Sequence, residues 1–292
     1  MDKNTLIGAL LIGAVLIGFT WFSKPDPTQS PAPSPQDTTQ LVTQAPAPAA
    51  GAAVADSASL DSLGAPVRPP YLQPTEERIV ELKNEKLSVK LSTKGGAPVE
   101  AVLADYLDQS KKPVHLFRKG DARLDLPLRT LENRLVSTAD ANFSVVESTD
   151  STAVLRMQID DVAYLDYAYK LRPADYRVDL VIRGHELRRF LPVNIALQDI
   201  QWTQRIPQQE QSWKFEGQYS GVYYHFPQGD VDRLETTSES SEDVQETLRW
   251  VAFKDKYFSS VLIASATGFK DNKLSIKAAK EGSGYVRDCS FK

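Results

Sequence analysis

From about Thr75 to Lys292 apolar side chains keep returning at every second position, a period that an extended strand can bury on one face and a helix cannot. In Ala163-Leu165-Tyr167-Tyr169-Leu171 the alternate residues are apolar, while Asp166 and Lys170 fall on the opposite face. After the turn Arg172-Pro173-Ala174-Asp175 the alternation resumes as Tyr176-Val178-Leu180-Ile182 against Arg177, Asp179 and Arg183, which predicts an antiparallel hairpin. Further strands are read at Ile79–Leu82, Leu87–Leu91, Val99–Leu103, Ala153–Ile159, Ile200–Ile206, Ser220–Phe226 and Phe258–Ala264. No stretch of this body has the period of a convincing amphipathic helix. The expected fold class is therefore all-β, a large antiparallel β-sandwich over residues 75–292.

Two segments of different character precede it. Leu6–Phe22, LIGALLIGAVLIGFTWF, runs 17 residues without a charge. At ~1.5 Å per residue it spans roughly 25 Å, near the short end for crossing a ~30 Å hydrocarbon layer. Trp21 and Phe22 stand where an aromatic anchor at the lipid–water boundary belongs. A cleaved secretory signal needs a basic start, a shorter apolar region and a small-x-small cleavage site. Here Lys3 is beside Asp2 and the run leads into Trp21-Phe22-Ser23-Lys24-Pro25, so residues 1–23 are read as a retained N-terminal transmembrane helix. The flanking charges nearly cancel; a short N-terminal tail and a long polar remainder favour the N-terminus inside and the body outside. Ala9/Gly13 and Ala14/Gly18 have the small-xxx-small spacing that permits close helix contact.

Eleven of the 18 prolines lie between Ser23 and Pro74. Stretches such as PTQSPAPSPQ and QAPAPAAGAAVA bury too little apolar surface to offset the entropy of ordering, and proline keeps them locally extended. Residues 24–74 are read as a semi-stiff, disordered linker that spaces the body from the anchor.

Composition removes several function classes. A net charge of −4 and a pI near 5.5 argue against a nucleic-acid partner. The single cysteine, Cys289, excludes an intramolecular disulfide and a cysteine-rich metal cage, and is read as an incidental thiol. Gly229–Glu246 holds seven acidic residues and one Arg but lacks the D-x-D-x-D-G spacing of a calcium loop, so a solvated, mobile loop is expected. There is no phosphate-cradling G-x-x-x-x-G-K-[ST], no G-x-S-x-G elbow and no H-E-x-x-H; His185-Glu186 runs into Leu187-Arg188-Arg189. His115, His185 and His225 are the only histidines. Converged in a cleft, they would suit the His and Glu chemistry that sugar mutarotases run in a β-sandwich; a lone His on a strand is more often structural. Trp213, Tyr219, Tyr223 and Tyr224 either line a sugar or peptide groove or pack the core. No catalytic, cofactor-binding or metal-ligating residue is assigned, no cofactor is expected, and the chain does not read as an enzyme.

Four segments carry a family resemblance. Ser92-Thr-Lys-Gly-Gly-Ala-Pro-Val-Glu-Ala-Val-Leu-Ala-Asp-Tyr106 resembles the strand–turn–strand near the start of the periplasmic domain of YidC-type membrane protein insertases. Tyr169-Lys-Leu-Arg-Pro-Ala-Asp-Tyr-Arg-Val178 is similar to that domain's central hairpin, and Trp250-Val-Ala-Phe-Lys-Asp-Lys-Tyr-Phe-Ser-Ser-Val-Leu-Ile-Ala264 to its W-x-x-x-x-x-x-[YF]-F strand. The opening Met1-Asp-Lys-Asn-Thr5 and apolar run are similar to the family's first membrane helix.

The resemblance implies a membrane protein insertase that places integral proteins in the bacterial inner membrane, alone or with the Sec translocon. Its body would be a periplasmic β-supersandwich, mutarotase-like in fold, and its partners nascent membrane proteins, the Sec translocon and the lipid bilayer. Family members continue into five further membrane helices, whose hydrophilic groove carries a functionally important Arg. No residue here matches that Arg, because the sequence stops at Lys292 while still reading as β-domain. The expectation is an N-terminal portion of such a protein, cut by truncation or frameshift, with an incomplete last domain. A membrane-anchored carbohydrate-binding or mutarotase-like protein, and an envelope scaffold protein, are the alternatives.

Overall fold

The predicted hairpin is the frame on which the first half of the body is built. The computed structural model describes residues 68–192, 199–234, 239–265 and 267–292. The expected membrane helix and most of the expected linker lie outside the described residues, and among those no helix is long and apolar enough to cross a membrane. Strands β10 (Tyr164–Leu171) and β11 (Val178–His185) pair antiparallel, Leu171 opposite Val178 and Tyr164 opposite His185. With β9 (Thr152–Gln158) and β8 (Ser144–Ser148) they make a sheet of order β11-β10-β9-β8. A second sheet runs β1 (Ile79–Lys83), β2 (Leu87–Ser92), β3 (Pro98–Leu107), β4 (Pro113–Phe117). Leu82, Leu91, Leu155, Met157, Tyr167 and Leu171 are buried in the one core the two sheets share.

The second half repeats the arrangement. One sheet has the order β15 (Glu239–Val244), β18 (Asn272–Ala278), β19 (Tyr285–Phe291), β12 (Gln201–Pro207), β5 (Ala122–Asp125). The other has the order β14 (Val231–Arg233), β13 (Gly221–His225), β16 (Trp250–Lys254), β17 (Ser259–Ile263). Their core holds Val222, Tyr224, Val251, Phe253, Ile276 and Phe291. Trp202 stacks on Phe253 there with ring centroids 3.8 Å apart. A short pair, β6 (Pro127–Arg129) with β7 (Leu135–Ser137), and one five-residue helix, α1 (Trp213–Gly217), complete the regular elements used below. The body is thus all-β and antiparallel, as the alternation predicts; β9, β12 and β18 bury alternate residues along most of their length, whereas no residue of β11 is fully buried and Ile182, on its expected apolar face, is exposed.

Four details differ from the sequence-based expectation. The acidic segment is not a mobile loop where it is described: Val231–Arg233 and Glu239–Val244 are strands. Lys273 and Lys277 of β18 stand opposite Asp243 and Glu239, with N···O separations of 3.9 and 3.6 Å, and the Tyr224 hydroxyl donates to Glu242 at 3.0 Å. A neighbouring strand thus supplies the countercharge that the segment lacks by itself. Tyr71, in the proline-rich stretch, is buried in a 3-10 turn, its ring 6.1 Å from that of Phe190. Asp166, on the face expected to be wet, is nearly buried because Arg156 on the adjacent strand clamps both its carboxylate oxygens at 2.7 and 2.8 Å. Cys289, read as an incidental thiol, is a core residue of β19, and burial pushes its thiol pKa up.

Candidate functional site

The three histidines do not meet. His115 is on β4, His185 ends β11 and His225 ends β13, in three different sheets. Each has its own local partner. His115 Nδ1 is 3.2 Å from Glu100 Oε1, and burial followed by the nearby Arg118 charge holds its pKa below the ordinary value. His185 stacks on Tyr164 at 4.7 Å and His225 on Trp250 at 5.3 Å. The four aromatics singled out in the sequence also separate. Tyr224 is buried in the second core, while Tyr223, its neighbour on β13, projects to the opposite face, where Lys254 approaches its ring at 5.7 Å. Trp213 Nε1 donates to the Tyr285 carbonyl at 2.9 Å, and Tyr219 is exposed.

The most unusual chemistry lies where Trp213 and Tyr219 do sit, at a corner made by α1, the loop before it and the turn between β16 and β17. The helix starts because the Ser212 hydroxyl accepts the Phe215 N–H, a standard N-cap. Glu216, fully buried, folds its carboxylate back to accept the N–H groups of Gln209 at 2.8 Å and Glu210 at 3.1 Å. Facing it is a second buried acid, Asp255, whose Oδ1 accepts the Ser220 hydroxyl at 3.0 Å. Asp255 Oδ2 receives no N–H or hydroxyl donor.

Two carboxylates cannot both stay ionised in so dry a place. Burial first, and then the Asp255 charge, push the Glu216 pKa up to about 7, and burial raises that of Asp255 as well. The arrangement fits one proton shared between the pair, with Asp255 Oδ2 as its acceptor. Lys254 lies alongside but spends its ammonium on the carbonyls of Tyr219, Asp255 and Lys256, at 3.0–3.4 Å.

Above this pair the corner presents rings to solvent. Lys256 Nζ is 4.4 Å from the Phe215 ring centroid, 4.5 Å from that of Tyr257 and 6.0 Å from that of Tyr219. It also pairs with Glu210 Oε1 at 3.0 Å. Gln109 Nε2, in the β3–β4 turn, donates to the Glu210 carbonyl at 3.4 Å, which brings Tyr106 and Leu107 to the same end. Sequence reading missed Glu216, Ser220, Asp255 and Lys256. They converge from segments 35 or more positions apart, and no period or motif announces an acid pair assembled at that range.

Two concavities lie among the described residues, one near these elements and one on the first half. Behind the corner, Leu116, Gln204, Phe253, Asp255, Phe258 and Ser260 line a cavity with only about 10 Å³ open to the centre of a water molecule. An open depression of about 590 Å³ is lined by Glu81, Lys83, Asn84, Glu85 and Asp150, with no ring on which a sugar could stack. Among the described residues no three His, Cys, Asp or Glu are placed to hold a metal ion.

Comparison with known proteins places this body in a family. Residues 79–290 match the family described as the YidC periplasmic domain. The chain is 42% identical over 304 aligned positions to the membrane protein insertase YidC of Porphyromonas gingivalis, covering 100% of this chain and 48% of that relative. Its identity to the Bacteroides fragilis YidC is 33%, covering 99% of this chain and 47% of the relative. The chain therefore spans about half the length of the curated relatives it matches. Among solved structures, a galactose mutarotase related enzyme from Lactobacillus acidophilus gives a TM-score of 0.42 at 9% identity, over 73% of this chain and 84% of that one, a likeness too remote to carry an argument.

Proposed function

The chain belongs to the YidC family, and from that membership we propose that it is the anchor and periplasmic part of a membrane protein insertase. The observation that carries the reading is the run of identity through the whole sequence, Met1 to Lys292, and not the β-domain alone. In this reading residues 1–23 seat the chain in the inner membrane with the N-terminus in the cytoplasm. Residues 24–74 space the body from the bilayer, and residues 75–292 stand in the periplasm. Nascent membrane proteins, the Sec translocon and the bilayer are the partners. The work is binding and positioning, with no bond broken. The three histidines, on three different sheets, do not support the sugar-processing alternative.

A domain exchange tests this. Replacing the matching half of the Porphyromonas gingivalis relative by this chain should support insertion of a single-span reporter when the host's own insertase is depleted. Failure of the exchange, with the unaltered relative working in the same strain, overturns the reading. Orientation is read separately in spheroplasts, where added protease should digest the body; protection there would reverse the proposed topology.

A further inference from the structure

The exposed rings at the α1 corner are left unused by the insertase reading. They form a continuous line. Phe215 meets Tyr219 edge-on with centroids 5.3 Å apart, and Lys256 bridges Phe215 to Tyr257. Tyr257 meets Phe258 at 6.3 Å, and Phe258 meets Tyr106 at 5.1 Å. Tyr106, Leu107, Phe215, Tyr219 and Tyr257 are each between 44% and 63% exposed. Half-exposed rings of this size leave on the order of 500 Å² of largely apolar surface in water, as large as the biggest patch on a typical monomer.

We propose that this face docks on the lipid bilayer surface, its rings seated among the headgroups. The proposal rests on the reading above that the chain is held at a membrane. Tyrosine and lysine side chains have the shape that layer favours, with an apolar ring or stem below and a hydroxyl or ammonium at the water side. The face is carried on the end of β3, on α1 and on the turn between β16 and β17. The cavity behind it, with about 10 Å³ open to a water centre, cannot take the side chain of a bound peptide, whereas a plane needs no pocket.

Charge agrees with a lipid surface. Glu216 and Asp255 are buried beneath the rings, and Glu210 is tied to Lys256. Lys111, Lys112 and Lys214 are exposed around the rim, against exposed Asp105 and part-buried Asp108. The Asp108 carboxylate already accepts the N–H groups of Ser110 and Lys112. Chain length agrees too. Residues 24–67 separate the apolar run from the first described residue, and a proline-rich segment of that length reaches roughly 100 Å or more when extended. A body so tethered sees the bilayer at high effective concentration, and a weak contact suffices.

The test uses the full chain in vesicles of phosphatidylethanolamine and phosphatidylglycerol. An environment-sensitive fluorophore is placed on Gln218→Cys, beside the rings, or on Lys273→Cys at the far end of β18; buried Cys289 stays unlabelled. The expected result is a blue shift at position 218, quenched by headgroup-level lipid quenchers, with neither effect at position 273. Phe215→Ser/Tyr219→Ser/Tyr257→Ser should abolish the shift. Tyr257→Ser alone, which removes one outward ring and little packing, should weaken it. A probe at 218 that stays unshifted in chains that float with the vesicles overturns the proposal and leaves the anchoring reading intact. Equal quenching at 273, or a shift that appears only on adding an unfolded membrane-protein segment, overturns it as well. Chains that do not float remove the anchoring reading together with the docking that rests on it.

Discussion

Glu216 is the residue whose buried carboxyl carries a pH dependence into the ordinary working range. Its pKa in the folded chain is raised to about 7, well above that of an unfolded glutamate. A carboxyl raised in this way stabilises the fold fully below its unfolded pKa and loses that contribution as pH climbs through its folded one. Stability from this site is therefore complete below about pH 4 and falls across about pH 4–8, by on the order of 2 kcal/mol after allowance for solvent screening. His115 works the other way, because its depressed pKa destabilises the fold as pH drops through the ordinary histidine range. The clean measurement is accordingly a difference. Urea unfolding of the native chain and of Glu216→Gln, between pH 5 and 8, should diverge, with the variant's profile the flatter of the two. Parallel profiles would show that no proton is shared at the pair.

At the scale of elements, the turn between β2 and β3 shows how a few residues set a strand register. Gly95 and Gly96 have φ of +82° and +64°, in the left-handed region. A Cβ on Gly96 would lie 2.8 Å from the Phe143 ring, and the Gly96 carbonyl accepts the buried Tyr169 hydroxyl at 2.8 Å. Gly282, in the β18–β19 turn, has φ +80° but open space around it. Gly96→Ala is expected to cost about 2–3 kcal/mol, for conformation plus collision, and Gly282→Ala about 1 kcal/mol for conformation alone. Equilibrium urea unfolding of the two variants checks the ordering; equal losses would mean that the ring contact is irrelevant.

Strands of this kind were legible wherever one face is apolar. The predicted Leu87–Leu91 and Ile200–Ile206 lie within a residue of β2 and β12. The acidic strands β14 and β15 were not legible, because β14 is held by pairing with β13, and β15 by Lys273, Lys277 and Tyr224, rather than by their own pattern. Nor was α1, whose five residues are too few to show a helical period.

At the scale of the molecule, the body is two sandwiches with separate cores, and Ile200 packs against both. The sheet of the second half also takes its edge strand β5 from the first half, where it pairs with β12. Such sharing couples the halves, so a single unfolding transition is expected. Of the four tryptophans, Trp202, Trp213 and Trp250 lie in the second half and Trp21 lies outside the body, so with Trp21→Phe as the background fluorescence follows the second half while far-ultraviolet circular dichroism follows both. Leu155→Ala, in the first core, should cost about 2–5 kcal/mol and shift both signals together. A shift confined to circular dichroism would mean that the halves unfold independently.

Periodicity and motif order by themselves determined the β class and the family. Each is a property of neighbouring residues, since burial of one strand face requires only local alternation. Only the tertiary structure decided that the histidines stay apart, that Glu216 and Asp255 meet, and that Phe215, Tyr219 and Tyr257 surround Lys256. Those outcomes depend on which loops share an end of the two sandwiches. That is settled by packing between residues far apart in the chain, where a local pattern carries no information.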